Sequence, residues 1–229
     1  MISAAIFDLD GTLVDSNDLH VEAWRETFLH FGKEIPVSKL REQIGKGGDQ
    51  YLPVFLSKEE MRTIGKKVDA FRGEIFKKKF LSMVRPFPRV RDLFERLRAD
   101  GKKIALASSG KSDEVDHYRK LAEIDELVDS QTTMDEVAHS KPKADVFIAA
   151  LRTLGNLPPN EAVAIGDTPY DIEAAKKINL RTIALLCGGF PEDDLRAAGA
   201  VAIYRDPSDL LDRYYQSPLA GSARKRNGS

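Results

Sequence analysis

Asp8-Leu9-Asp10-Gly11-Thr12 directly follows the short apolar run Ala4–Phe7. Residues two apart in an extended chain point the same way, so Asp8 and Asp10 converge at the carboxyl end of a strand. Two carboxylates ~4 Å apart repel by about 4 kcal/mol at an effective dielectric of ~20, so the pair calls for a cation. Gly11 allows a sharp turn immediately afterwards. An EF-hand is excluded, because the glycine comes one ligand position too early and Leu19 stands where the closing glutamate belongs. Three later segments offer partners. Lys103–Ala107 runs into Ser108-Ser109-Gly110, whose hydroxyls and amides suit an anion. Ser140-Lys141-Pro142 places an amine just before a helix start, and Ala162–Ile165 runs into Gly166-Asp167-Thr168-Pro169-Tyr170-Asp171. Asp8, Asp10 and Asp167 are hard oxygen ligands suited to magnesium. Ser108 and Lys141 suit phosphate.

The elements that would position these groups are read from periodicity. Short aliphatic runs at 4–7, 103–107, 127–130, 162–165, 181–186 and 201–204 alternate with helical patterns at 90–99, 113–121, 144–154, 172–178 and 193–198. Such alternation predicts an α/β fold, a parallel sheet covered by helices, with ligands at the carboxyl ends of the strands. From about Ser16 to Arg85 no strand is expected. Residues 18–31 and a stretch within 57–83 read as helices, the second opening on the capping box Ser57-Lys58-Glu59-Glu60 and carrying Met61, Ile64, Val68, Phe71 and Ile75 on one stripe. Lys77-Lys78-Lys79 reads as a solvated face. Pro86 and Pro88 mark the return to the sheet. The expected division is a sheet core over 1–15 and 86–216, an inserted all-helical cap over 16–85, and a small, polar, basic and disordered tail over 217–229 containing Arg224-Lys225-Arg226.

The order Asp8-x-Asp10-Gly-Thr, Ser108 after an apolar strand, Lys141-Pro-x-x-Asp145-x-Phe147, and Gly-Asp167-x-x-x-Asp171 resembles the haloacid dehalogenase superfamily over residues 1 to about 215. The resemblance implies a Rossmann-like core with a helical cap that closes over the substrate. It also implies a magnesium-dependent phosphatase acting on a small phosphorylated metabolite. Asp8 would be the nucleophile, forming an aspartyl-phosphate. Asp10 would protonate the leaving oxygen and then deprotonate the hydrolytic water. Mg2+ would bridge the Asp8 carboxylate, the Asp10 main-chain carbonyl, Asp167 and a phosphate oxygen. Asp171 would orient a metal-bound water or Lys141. Ser108 and Lys141 would hold the transferring phosphoryl group, with Thr12 and Ser109 as further substrate-side candidates.

Two other activities are weighed. A dehalogenase attacks carbon and needs no acid at position 10, so Asp10 speaks against it. Asp15, His20 and Trp24 resemble the β-phosphoglucomutase branch, in which His20 would tune Asp10. Against a mutase, Gly45-Lys46-Gly47-Gly48-Asp49-Gln50 offers Lys46 as a substrate ligand but puts Asp49 where a distal phosphate would want arginine. The stretch is no P-loop, since Leu40 and Gly47 replace the required glycine and hydroxyl residue. A silent regulatory member would have lost part of the set Asp8, Asp10, Lys141 and Asp167. The bulk properties fit this picture. The net charge of −1 draws the chain neither to nucleic acid nor to a membrane, no apolar run reaches spanning length, and no secretory leader is seen. Cys187 is the single cysteine, so no intrachain disulfide can form, and it is expected to be a buried packing residue. A cytoplasmic protein is expected.

Overall fold

The computed structural model describes residues 1–220. The first strand, β1 (Ala4–Phe7), is fully buried and is followed by a two-residue strand, β2 (Val14–Asp15). Five helices come next: α1 (Asn17–His30), α2 (Val37–Arg41), α3 (Gly48–Phe55), α4 (Lys58–Thr63) and α5 (Gly65–Ile75). The strand β3 (Arg85–Pro86) then pairs antiparallel with β2, so one small ribbon brackets the helical segment at both ends. The remainder alternates: α6 (Val90–Ala99), β4 (Lys103–Ala107), α7 (Ser112–Leu121), β5 (Ser130–Thr132), α8 (Asp145–Thr153), β6 (Ala162–Gly166), α9 (Pro169–Lys176), β7 (Arg181–Leu185), α10 (Glu192–Ala198), β8 (Ala202–Tyr204) and α11 (Pro207–Asp212).

Six strands form one parallel sheet in the order β5-β4-β1-β6-β7-β8. The chain winds outward from β1 to one edge and then crosses to β6 on its other side, which puts the topological switch at β1. Strand alternation sorts the core. Ala5 and Phe7 face Leu93, Phe94 and Leu97 of α6, Val115 and Tyr118 of α7 and Leu210 of α11. Ala4 and Ile6 face Val146, Phe147, Ala150 and Leu151 of α8 and Ala174 and Ala175 of α9. A sheet buried on both faces accounts for the continuous apolar runs seen in the sequence.

The helical segment has its own core of Val21, Trp24, Phe28, Leu40, Tyr51, Leu52 and Val68, while Ala23 and Phe76 join the core beneath the sheet. The single long helix read within 57–83 is broken. The capping box at Ser57 and Glu60 forms, α4 ends at Ile64, and α5 restarts at Gly65 and runs on into a π-helical turn, Phe76–Phe80. Met61 and Ile64 pack on the cap-side core and Ile75 on the sheet-side core, so the stripe serves two cores. Lys77 and Lys79 pair with Asp113 and Glu26. A further departure lies at the C-terminus: residues 217–220 do not begin a disordered tail, because Pro218–Ala220 is a helical turn that buries Leu219 completely against the sheet-side core. Arg224-Lys225-Arg226 lies outside the described residues. Cys187 is half-buried, in the turn after β7, where its Sγ donates to the Gly11 carbonyl at 3.2 Å. Among the described residues no helix is long and apolar enough to cross a membrane.

Candidate active site

Loops leaving β1, β6 and the segment before α8 bring Asp8, Asp167, Asp171 and Lys141 to one buried point. Asp8 follows β1 directly and its amide donates to Ile165 at 2.8 Å, which fixes the strand end against β6. Lys141 Nζ lies 2.5 Å from Asp8 Oδ1 and 2.7 Å from Asp171 Oδ1, with Lys141 only 1% exposed. The second contact is an ion pair rather than an aligned hydrogen bond, since Asp171 Oδ1 has no hydrogen-bond partner. Asp171 is held by its place in α9: Thr168 accepts from the Asp171 amide, while Asp171 Oδ2 accepts from the Thr168 amide and hydroxyl.

Carboxylate oxygens of Asp8, Asp167 and Asp171 lie within 4.8 Å of one another, all three residues being buried. Asp167 is fixed by three neighbours. Thr12 Oγ1 donates to its Oδ1 at 2.7 Å, Asn17 Nδ2 donates to its Oδ2 at 2.9 Å, and the bare Cα of Gly188 lets it approach. A Cβ on Gly188 would sit 1.7 Å from Asp167 Oδ2, and one on Gly11, at φ +74°, would sit 2.3 Å from the same atom. Both positions therefore require glycine. The substrate-side role expected of Thr12 is corrected by its bond: the hydroxyl is engaged by Asp167, which makes Thr12 a support for that carboxylate. Asn17 is a site residue that sequence reasoning misses. Its only signal there is a polar residue after Ser16 at the start of α1.

The electrostatics follow from this crowding. Burial pushes the Asp8 carboxyl up to about 7, with Asp171 and Asp10 adding to the rise and Lys141 opposing it. Burial, Asp171 and Asp8 raise Asp167 well above the ordinary carboxylate range, against the bonds from Thr12 and Asn17. Burial acts to lower Lys141, but Asp171 and Asp8 outweigh it and the amine is raised, so it stays charged. Three acid residues against one ammonium is an excess of negative charge in a dry site. The all-oxygen donor set, without histidine or thiol, fits a hard divalent cation such as Mg2+.

Asp10 stands apart from that cluster. Its carboxylate accepts from Ser16 Oγ at 2.6 Å and contacts His20 Nε2 at 2.8 Å. On its far side, His20 Nδ1 meets Arg72 Nη2 at 2.5 Å, and the ring stacks on Phe76 at 4.0 Å. Arginine has no acceptor, so Nδ1 must accept and Nε2–H donates to Asp10. Burial acts to raise the Asp10 carboxyl, but His20, Ser16 and Arg72 outweigh it and lower it to about 2.

A cavity opens from Asp8 and Asp10 toward the helical segment, lined there by Trp24, Lys46, Asp69 and Arg72 and from the sheet side by Ser109, Lys111 and Glu114. Ser109 faces it with a buried hydroxyl that has no hydrogen-bond partner among the described residues, whereas Ser108 Oγ accepts from the Gly110 amide at 2.9 Å. Lys46 reaches the rim, where it bonds Gln43 at 2.5 Å and lies over the Tyr170 ring. Asp49 does not face the cavity, which corrects the expectation that it repels a distal anion. It accepts from the Ser140 amide at 3.1 Å and from the Ser140 hydroxyl, tying α3 to the loop that carries Lys141. Arg72 of α5 is the arginine that lines the cavity.

A family model described as haloacid dehalogenase-like hydrolase matches residues 5–185. The chain is 26% identical over 215 residues to a phosphorylated carbohydrates phosphatase of Thermotoga maritima, covering 92% of this chain and 97% of that protein. It is 27% identical over 210 residues to the pyrophosphatase PpaX of Oceanobacillus iheyensis, covering 92% and 95%. Among solved structures, a hydrolase from Pseudomonas syringae matches with a TM-score of 0.84 at 28% identity, over 93% of this chain and 98% of that one.

Proposed function

This chain belongs to the haloacid dehalogenase-like hydrolase family, and we propose that within it the protein is a divalent-metal-dependent phosphatase of small phosphate monoesters. The observation that carries the reading is Asp8 itself, a buried carboxylate held by Lys141 beside Asp167 and Asp171 and open to a cavity that Asp10 also lines. Relatives described as a carbohydrate phosphatase and a pyrophosphatase support hydrolysis at phosphorus as the reaction class. The helical segment over α1–α5 would serve as the cap.

Asp8 attacks phosphorus, and the bond to the leaving oxygen breaks as Asp10 gives that oxygen a proton. Asp10 is ionised in the resting site. An arriving phosphate ester raises its proton affinity, so Asp10 takes up one proton from solvent as the ester binds and holds it for the leaving oxygen. In the second half Asp10 takes a proton from water, the water oxygen attacks phosphorus, and the bond to Asp8 breaks, releasing phosphate. Lys141 holds Asp8 in line and compensates the phosphoryl charge, and the Ser109 hydroxyl is free to donate to it. Mg2+, held by Asp8, Asp167 and the main-chain carbonyl of Asp10 with Asp171 alongside, would neutralise the carboxylates and a phosphate oxygen.

Release of nitrophenol from 4-nitrophenyl phosphate tests the proposal. Activity should vanish on chelation, return with Mg2+, and fall by at least about 100-fold in Asp8→Asn. Full activity in chelator, or in Asp8→Asn, would falsify it. A phosphosugar mutase is the second reading, favoured by one observation, Arg72 in the cavity where a distal phosphate would lie. Conversion of β-glucose 1-phosphate to glucose 6-phosphate faster than phosphate release from any ester would establish it.

A further inference from the structure

Glu114 has no part in the phosphoryl chemistry, yet it lines the cavity onto which Asp8 and Asp10 open. It sits in the first turn of α7, is only 2% exposed, and lines the same cavity as Asp8 and Asp10. The first turn of a helix favours an acid, which accounts for a carboxylate at this position but not for leaving it short of donors. Its Oε1 has no hydrogen-bond partner among the described residues, and its nearest cation, Arg72 Nη1, is 3.9 Å away. Arg72 cannot swing closer without cost, being bonded to His20 and layered between Trp24 and Phe76.

The position relative to Asp10 gives the group a use. A Cβ built on Gly110 would lie 3.7 Å from Glu114 Oε2 and 3.8 Å from Asp10 Oδ2, so both carboxylates flank the same point. With no side chain at Gly110, and Ser108 Oγ 3.1 Å from the same point, a ligand can approach the main chain between the two carboxylates. Asp10 hands its proton to the leaving oxygen in the reaction proposed above, so Glu114 faces the atoms next to that oxygen. Asp69 of α5 adds a second carboxylate to the lining, with Lys46, Arg72 and Lys111 as its cations. Carboxylates and cations in one cavity offer both acceptors and donors to hydroxyl groups. A leaving group that is itself an anion would be repelled by the Glu114 carboxylate, against the pull of Lys46, Arg72 and Lys111.

We infer that Glu114 is a specificity-determining residue that accepts a hydrogen bond from a hydroxyl of the leaving group, selecting polyol or sugar phosphates over pyrophosphate. The inference rests on the phosphatase reading.

The test compares the wild type with Glu114→Gln, in Mg2+, on 4-nitrophenyl phosphate, inorganic pyrophosphate and a panel of three- to six-carbon polyol and sugar phosphates. Glutamine keeps an acceptor oxygen but not the charge, so kcat/KM should fall about 10-fold on the best hydroxylated substrate, chiefly through KM. Hydrolysis of 4-nitrophenyl phosphate, whose leaving group lacks an aliphatic hydroxyl, should stay within about 3-fold. Pyrophosphate turnover should rise as the negative charge leaves the cavity. A gain there cannot come from damage to the fold. Equal loss on all three classes would assign Glu114 a structural role and overturn the inference, as would an unchanged hydroxylated substrate or a wild type that prefers pyrophosphate. If the wild type released phosphate from none of them, the phosphatase reading would fail and this inference with it.

Discussion

Replacing Lys141 by methionine keeps its aliphatic stem and removes the one ammonium that Asp8 and Asp171 share. Lys141 is 1% exposed and its Nζ lies 2.5 and 2.7 Å from the two carboxylates, so no solvent takes over its role. Breaking a buried ion pair by deleting one partner costs about 3–5 kcal/mol, because the orphaned charge stays buried. For a chain of this size each kcal/mol moves Tm by roughly 2–4 °C, so metal-free Lys141→Met at pH 8 should melt roughly 6–20 °C below the wild type. Two conditions should narrow the gap. A cation bound to the native state at about 100 times its Kd adds about 2.7 kcal/mol, so saturating Mg2+ should lift the variant toward the melting point of the metal-free wild type. Acidification should restore more, since protonated carboxylates no longer need the amine. The assay is thermal unfolding followed by circular dichroism, in chelator and in Mg2+, at pH 8 and pH 5. A variant melting within about 1 °C of the wild type in chelator at pH 8 would refute the idea that Lys141 compensates two buried carboxylates.

Further outcomes follow from the same geometry. Asp8 has its carboxyl pushed up to about 7 from an ordinary 3.8, so the fold holds a proton there that the unfolded chain releases. Its stabilising share is complete below about pH 4 and is lost as pH rises through about 7, so the metal-free protein should melt progressively lower between those values. Asp8→Asn should flatten that slope, and an unchanged slope would assign it to other groups. Asp49→Ala removes both acceptors of the Ser140 loop, so kcat should fall about 10-fold while stability drops by only about 1–3 kcal/mol. If kcat is unchanged, the tie between α3 and the Lys141 loop has no bearing on turnover.

The strand framework is legible in the sequence because β1, β4, β6 and β7 are buried on both faces and read as uninterrupted apolar runs. The edge is less so: β5 is three residues of Ser-Gln-Thr, and the expected strand at 127–130 overlaps it only at Ser130. The helices α2 and α3 carry too few apolar repeats to register, and Pro53 lies inside the second. In the sequence Asp8 and Asp167 stand at strand ends and Lys141 just before a helix start, and it is their combination that points to a site. Orientation is not readable, so Thr12 and Asp49 look like substrate-side groups when each is bonded to protein. Arg72 does carry a signal. It lies on the i, i+4 row between Val68 and Phe76, and a charged residue on a buried row asks for a partner. Glu114 carries none, since an acid in the first turn of a helix is what the helix dipole alone would place there.

Whether Asp8 takes the phosphoryl group can be seen directly in a single-turnover reaction, quenched in acid at successive times, digested and mapped by mass spectrometry. A phosphoryl group should rise on the peptide carrying Asp8, then decay as phosphate appears. Phosphate released with no labelled Asp8 peptide at any time, or with the label on another residue, would contradict covalent catalysis by Asp8.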